Sequence, residues 1–147
     1  MSDSLAHLLG DSARLLRRRF DARARVLGVS RAQWQVLFAL SRVEGINQAG
    51  LAEALDVETI TVGRMVDRLA DADLVERRAD PSDRRAWRLY LRPRAHPILD
   101  ALRTVGAEVM AETLSGLSEA EQNQLAALLL RVRTNLVQPA QSRTAAE

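Results

Sequence analysis

The stretch Leu74 to Pro93, LVERRADPSDRRAWRLYLRP, constrains the fold more tightly than any other part of the chain. Leu74-Val75 and Leu89-Tyr90-Leu91 are apolar or aromatic enough to pair as strands, and Ala79-Asp80-Pro81-Ser82-Asp83 between them is rich in turn formers. A β-hairpin with a projecting tip at Asp83, Arg84 and Arg85 is expected. Residues 75 to 94 hold seven Arg against three acids, a net of +4 in a chain whose total is +2. The positive charge is therefore local, and a basic finger placed directly after an amphipathic helix points to DNA.

Composition sets the rest of the architecture. A chain of 147 residues, 47% hydrophobic, suits one ordinary core. Only 3% is aromatic, so the core has to come from Leu, Val and Ala, as in packed helices. Every one of the 21 basic residues is Arg, a chain-wide bias that cannot by itself be read as a functional choice. With no Cys there is no disulfide, thiolate switch or Cys-ligated metal. The N-terminal run lacks the features of a signal peptide and no apolar run approaches bilayer length, so a cytoplasmic protein without a membrane partner is expected.

Leu5, Leu8, Leu9, Leu15, Leu16 and Phe20 recur at helical spacing, with Arg17, Arg18, Asp21 and Arg25 among them as solvent-facing candidates. This first helix should end near Gly28. Ser30 is a plausible N-cap for a second helix, RAQWQVLFALSRV, with Trp34, Leu37, Phe38 and Leu40 on its apolar face, and Gly45 stops it. Asn47 opens the short QAGLAEAL, and ETITVGRMVDRLADA follows, two helices that fit a helix-turn-helix. Beyond the hairpin, Ile98 to Met110 make another helical stripe, broken at Ser115-Gly116. In the last helix Ser118 and Glu121 form a capping box, and Leu125, Leu128, Leu129, Val132 and Leu136 share a face. Pro97, four residues after Pro93, requires that this penultimate helix either start at Pro97 or carry a kinked first turn.

The fold class expected is mainly α, a winged helix-turn-helix with a two-stranded β wing flanked by N- and C-terminal dimerisation helices. Residues 1–28 and 95–137 would supply those helices, 30–93 the DNA-binding lobe and 138–147 a flexible tail. The outer helices carry more Leu than a small winged helix can cover, so a second copy in an isologous dimer is expected to bury them.

A recognition helix in the major groove offers its N-terminal residues to base edges, here Glu58, Thr59, Ile60, Thr61, Gly63 and Arg64, while Met65, Val66 and Leu69 face the core. Arg85 at the hairpin tip can enter a minor groove, with Asp83 holding it extended through a charge-assisted hydrogen bond and Arg84 beside it. Arg77, Arg78 and Arg88 would flank the finger as phosphate clamps. Alternation in WRLYL puts Trp87 on the face of Leu89 and Leu91, which favours core packing over stacking on a base.

From about Leu5 to Leu136 the chain resembles the MarR family of winged helix-turn-helix regulators. The resemblance is carried by LAEALDVETITVGRMVDRLADADLVERRADPSDRRAWRLYL, in which Asp83-Arg84-Arg85-Ala86 looks like the family's wing-tip signature. It implies that Arg85 is the minor-groove arginine, Asp83 its orienting partner and Arg64 a recognition-helix contact. It also implies a homodimer, a pseudo-palindromic operator in double-stranded DNA, and repression relieved by a small aromatic or phenolic carboxylate. The SlyA-like branch is the nearest in character, which would add displacement of a nucleoid protein. Where the family has Thr after the second wing strand this sequence has Arg92, leaving the capping of the next helix open. An effector pocket between the dimerisation helices and the DNA-binding lobe would draw on His7, Arg14, Arg17, Trp34 and Phe38. With His7 and His96 as the only histidines, no nucleophile-base pair and no nucleotide loop, neither an enzyme, a metal site nor a cofactor is expected. The alternative is a winged-helix module that docks a protein, distinguishable by its charge: such a face would carry apolar anchors in place of Arg.

Overall fold

Four of the six helices among the described residues begin where a short polar side chain satisfies a free amide. Ser4 accepts from the His7 amide, Ser30 from Gln33, Asn47 from Gly50 and Ser118 from Glu121. At Ser30 and Ser118 the third helical residue reciprocates, so both are complete capping boxes. In the computed structural model, which describes residues 3–138, these helices are α1 (Leu5–Val26), α2 (Arg31–Arg42), α3 (Gln48–Leu55) and α6 (Glu119–Val137). The others are α4 (Thr59–Asp71) and α5 (Ala95–Thr113). Strands β1 (Val75–Ala79) and β2 (Trp87–Leu91) pair antiparallel with Val75 opposite Leu91 and Ala79 opposite Trp87. The expected tail beyond Gln138 lies outside the described residues.

The helices form two compact units, one running to Met110 and the other from Ala111. In the first, the core is Leu- and Val-built as composition requires: Val36, Leu37, Leu40, Leu51, Val62, Val66, Leu69, Leu89 and Leu99 are all buried. Each such side chain contributes about 1.5–3 kcal/mol. Met65 is half-buried against the same cluster. A smaller cluster of Ala24, Val29 and Leu102 is roofed by Phe20, Trp34 and Phe38. In the second unit, Leu125, Leu128, Leu129, Val132 and Leu136 along α6 are exposed.

α3 and α4 meet at a tight turn in which Asp56 adopts the left-handed conformation (φ 54°) and caps α3. Gly45, at φ +84°, sits against the Tyr90 ring, where any side chain would be strained and crowded. Its amide donates to Leu89 O (2.9 Å), and Leu89 N returns a bond to Ile46 O (2.9 Å), so the segment before α3 lies along β2. The wing is thereby tied to the helix-turn-helix.

Three expectations give way to the structure. α5 starts at Ala95, which removes the alternative of a start at Pro97: Pro97 is the third helical residue, where a missing amide costs nothing because first-turn amides have no intrahelical acceptor. Asp21, grouped with solvent-facing residues on polarity alone, is buried, since α2 brings Arg31 and Trp34 to it. Trp87 shares the face of Leu89 as alternation requires, but it is 47% exposed because the hairpin runs past the edge of the core.

Candidate nucleic-acid interface and cavity

α4 begins with an exposed run. Glu58, its N-cap, makes no side-chain capping bond, and Thr59, Ile60, Thr61 and Arg64 are exposed, whereas Val62, Val66 and Leu69 face inward. Ile60 is 70% exposed, unusual for a β-branched apolar residue. Gly63 is half-buried beside Gln48 of α3, whose amide nitrogen would lie 3.4 Å from an added Cβ.

The wing arginines divide into two groups. Arg77 on β1 turns inward: its Nε donates to Gln48 Oε1 (3.1 Å), its Nη2 donates to the Gly63 carbonyl (3.2 Å) and also reaches Asp67 (2.7 Å). One side chain thus ties the wing to both helices of the motif. On the opposite face Arg78 pairs with Glu76 and lies 4.0 Å over the Tyr90 ring, while Arg88 meets Asp80 at 3.0 Å. Arg92 bridges Asp73 and Glu76, each at 2.9 Å. Arg78 and then Arg92 hold the Glu76 carboxyl below its usual range, and Ser82, through its amide and hydroxyl, does the same for Asp80 ahead of Arg88. At the tip, by contrast, Arg84 and Arg85 are exposed, and among the described residues their guanidinium groups meet no carboxylate.

Asp83 does not hold the Arg85 guanidinium. Its Oδ1 accepts from the Arg85 backbone amide (2.9 Å), an Asx turn, and its carbonyl accepts from Ala86 N (3.2 Å). The aspartate orients Arg85 through the main chain because a side chain this short closes most readily on the amide two residues ahead.

A cavity of about 740 Å³ opens in the first unit, lined by Phe20, Trp34, Phe38, Arg17, Arg42 and Met110 among others. The three rings pack edge-on or tilted, with centroids 5.0 to 6.1 Å apart. Trp34 is held by Asp21, whose Oδ1 accepts from its indole Nε1 (2.8 Å) while Arg31 Nε donates to Oδ2 at 2.7 Å. That hydrogen bond raises the Arg31 pKa above its ordinary value. Of the five residues expected here, Arg17, Trp34 and Phe38 line the cavity and His7 and Arg14 do not. His7 lies one turn into α1 with its amide on Ser4, and Arg14 is turned to Asp11, whose carboxyl it holds below the usual range. Sequence reading missed Phe20, Arg42 and Asp21; Phe20 sits on the same helical stripe as Leu16, the one signal that could have found it.

Among the described residues no cluster of three His, Asp or Glu could hold a metal, and no helix is long and apolar enough to cross a membrane. A family model described as MarR family matches residues 27–86. The transcriptional regulator PA3341 is 35% identical over 90% of this chain and 98% of its own, with a TM-score of 0.78. The chain belongs to the MarR family. SlyA is 27% identical, covering 91% of this chain and 94% of its own at a TM-score of 0.78. A Cys-to-Ser variant of MarR from E. coli, solved with operator DNA, is 26% identical over 87% and 92%, at a TM-score of 0.75. The fold is the winged helix of MarR-family transcription regulators, and these neighbours are regulators rather than enzymes. SlyA and this MarR variant differ by one percentage point in identity to the chain, so identity assigns it to neither branch.

Proposed function

We propose that the protein is a homodimeric, sequence-specific transcription regulator that sets α4 in the major groove and the Arg85 tip in the flanking minor groove of a pseudo-palindromic operator. The observation that carries this reading is the unpaired tip, because Arg84 and Arg85 are left for phosphate or groove while their neighbours are neutralised. Thr59, Thr61 and Arg64 offer hydrogen-bonding groups, and Ile60 suits a thymine methyl. The uncapped first turn of α4, with Glu58 before it, leaves amides for a phosphate. Arg78 and Arg88 could still serve phosphates at the rim by exchanging their carboxylate partners; Arg77, engaged on three sides, acts by positioning the wing.

Exposed Leu5, Leu8, Leu9 and Leu15 on α1, and the separate leucine face of α6, favour burial against a second copy. The aromatic cavity with Arg17 and Arg42 suits a small aromatic or phenolic carboxylate that would release the operator, a volume within the ordinary range for ligand pockets. Calorimetry with salicylate-like carboxylates tests that part, and silence across a millimolar panel removes it.

The principal test is retention on random duplex DNA at low salt followed by selection of bound genomic fragments. Binding should weaken steeply as salt rises. Exposed Ile60 and Trp87 favour a second reading, a protein-docking winged helix, and no retention on duplex DNA or heparin would select it.

A further inference from the structure

Trp87 is the largest side chain that the interface described above leaves without a task. Its register partner Ala79 is too small to cover it, and it stands 47% exposed at the outer end of β2. The pairing Arg77–Leu89 and Ala79–Trp87 places Trp87 on the inner face of the wing, two pairs beyond the arginine that reaches Gln48 and Gly63. Trp87 therefore lies outward of Arg77 and one residue outward of Arg88, whose backbone bridges Asn47 at the N-cap of α3, in the interval between these contacts with the helix-turn-helix and the Arg84-Arg85 tip. On a duplex, the sugar-phosphate strand that separates a major groove from its adjacent minor groove has to pass through that interval. An aromatic face fits the apolar side of deoxyribose, and the unpaired Arg84 and Arg85 beyond it supply the charge complementarity that a polyanion needs and an apolar peptide does not.

We infer that Trp87 packs on the deoxyribose face of the strand crossing between the two grooves, an apolar, sequence-independent contact that sets the distance between helix and wing on DNA. The inference rests on the DNA-binding reading. It differs from a base-reading role because Trp87 stands on the strand, opposite Ala79 and short of the projecting tip, rather than on the tip itself.

The test measures binding of the wild type, Trp87→Ala, Trp87→Phe and Arg85→Ala to a random-sequence duplex across a salt series, with circular dichroism to check folding. Trp87→Ala should weaken binding by about fivefold to tenfold at each salt concentration, through lost apolar contact. The slope of log Kd against log salt should stay at the wild-type value, whereas Arg85→Ala should lower it by about one. Trp87→Phe should restore most of the affinity, and the emission assigned to Trp87, wild type minus Trp87→Phe, should change on adding duplex. Wild-type binding by Trp87→Ala, or a loss accompanied by a reduced salt slope, overturns the inference and leaves the side chain to a protein partner or to none. Failure of the wild type itself to bind duplex DNA overturns instead the functional reading beneath it.

Discussion

The root and the tip of the wing are built from the same residue and behave as opposites. At the root, Arg77, Arg78, Arg88 and Arg92 each meet a carboxylate within the protein. At the tip, Arg84 and Arg85 extend from a turn closed by Asp83 and are left to solvent. The local excess of charge visible in the sequence is thus mostly spent on internal pairing, and what remains for a polyanion is concentrated on two residues. Exposed ion pairs contribute little individually. A network on both faces of a two-stranded hairpin has another use, because such a hairpin is marginal alone and must be held at a fixed angle to α4 if its tip is to reach a groove.

The contrast breaks most visibly on DNA affinity. Arg85→Ala should weaken operator binding by about 1–3 kcal/mol with no change in thermal stability. Equal or larger losses from Arg78→Ala or Arg88→Ala, measured by fluorescence anisotropy on the same duplex, would erase the distinction between root and tip. Arg77→Met keeps the aliphatic stem and removes the guanidinium, and should lower unfolding free energy by about 1–2 kcal/mol, because the Gly63 carbonyl and Gln48 lose a charged donor. Urea melts check this, and an unchanged midpoint would make Arg77 an ordinary surface cation.

Local chemistry made most of the fold legible. Ser30, Asn47 and Ser118 announced their helices through capping that depends only on residues three apart, and alternation in WRLYL gave the wing its faces. What stayed hidden depended on distance along the chain. Arg77 and Gln48 are 29 residues apart, and no spacing rule relates them, so a strut read as a phosphate clamp. Asp21 looked solvated because its partners lie on the next helix. For Trp87 alternation named the right face, but where the core ends is a property of the assembled helices. His7 and Arg14 were placed at the cavity by their helix alone; Arg14 is three residues short of Arg17 and turned to Asp11.

A finer test concerns how Asp83 works. If its part is to accept the Arg85 amide, Asp83→Asn retains that acceptor and should bind DNA nearly as the wild type does, while Asp83→Ala frees the turn at a cost of about 0.5–1 kcal/mol in affinity. Equal losses from Asn and Ala would mean that the carboxylate charge matters, and would restore the side-chain pairing with Arg85 that the sequence suggested.

The smallest effect separates the two regions by pH. Glu76 and Asp80 at the root both have folded pKa values depressed below the ordinary ones, Glu76 chiefly by Arg78 and Asp80 chiefly by Ser82. A depressed carboxyl contributes stability that is present above its unfolded pKa and is lost as pH falls through its folded value. Neutral conditions therefore keep the root intact, and acidification through and below the usual carboxylate range should loosen it, whereas the tip, whose contact is an amide on Asp83, has no such arginine-carboxylate pairing to lose. Amide exchange at Arg78, Arg88 and Tyr90 should accelerate with acid beyond the intrinsic chemical trend, and Glu76→Gln with Asp80→Asn should flatten that dependence. If the double variant keeps the full acid response, the ion pairs of the root do not govern how firmly the wing is held, and the tip owes its position to Arg77 and the main-chain bonds at Gly45 and Ile46 alone.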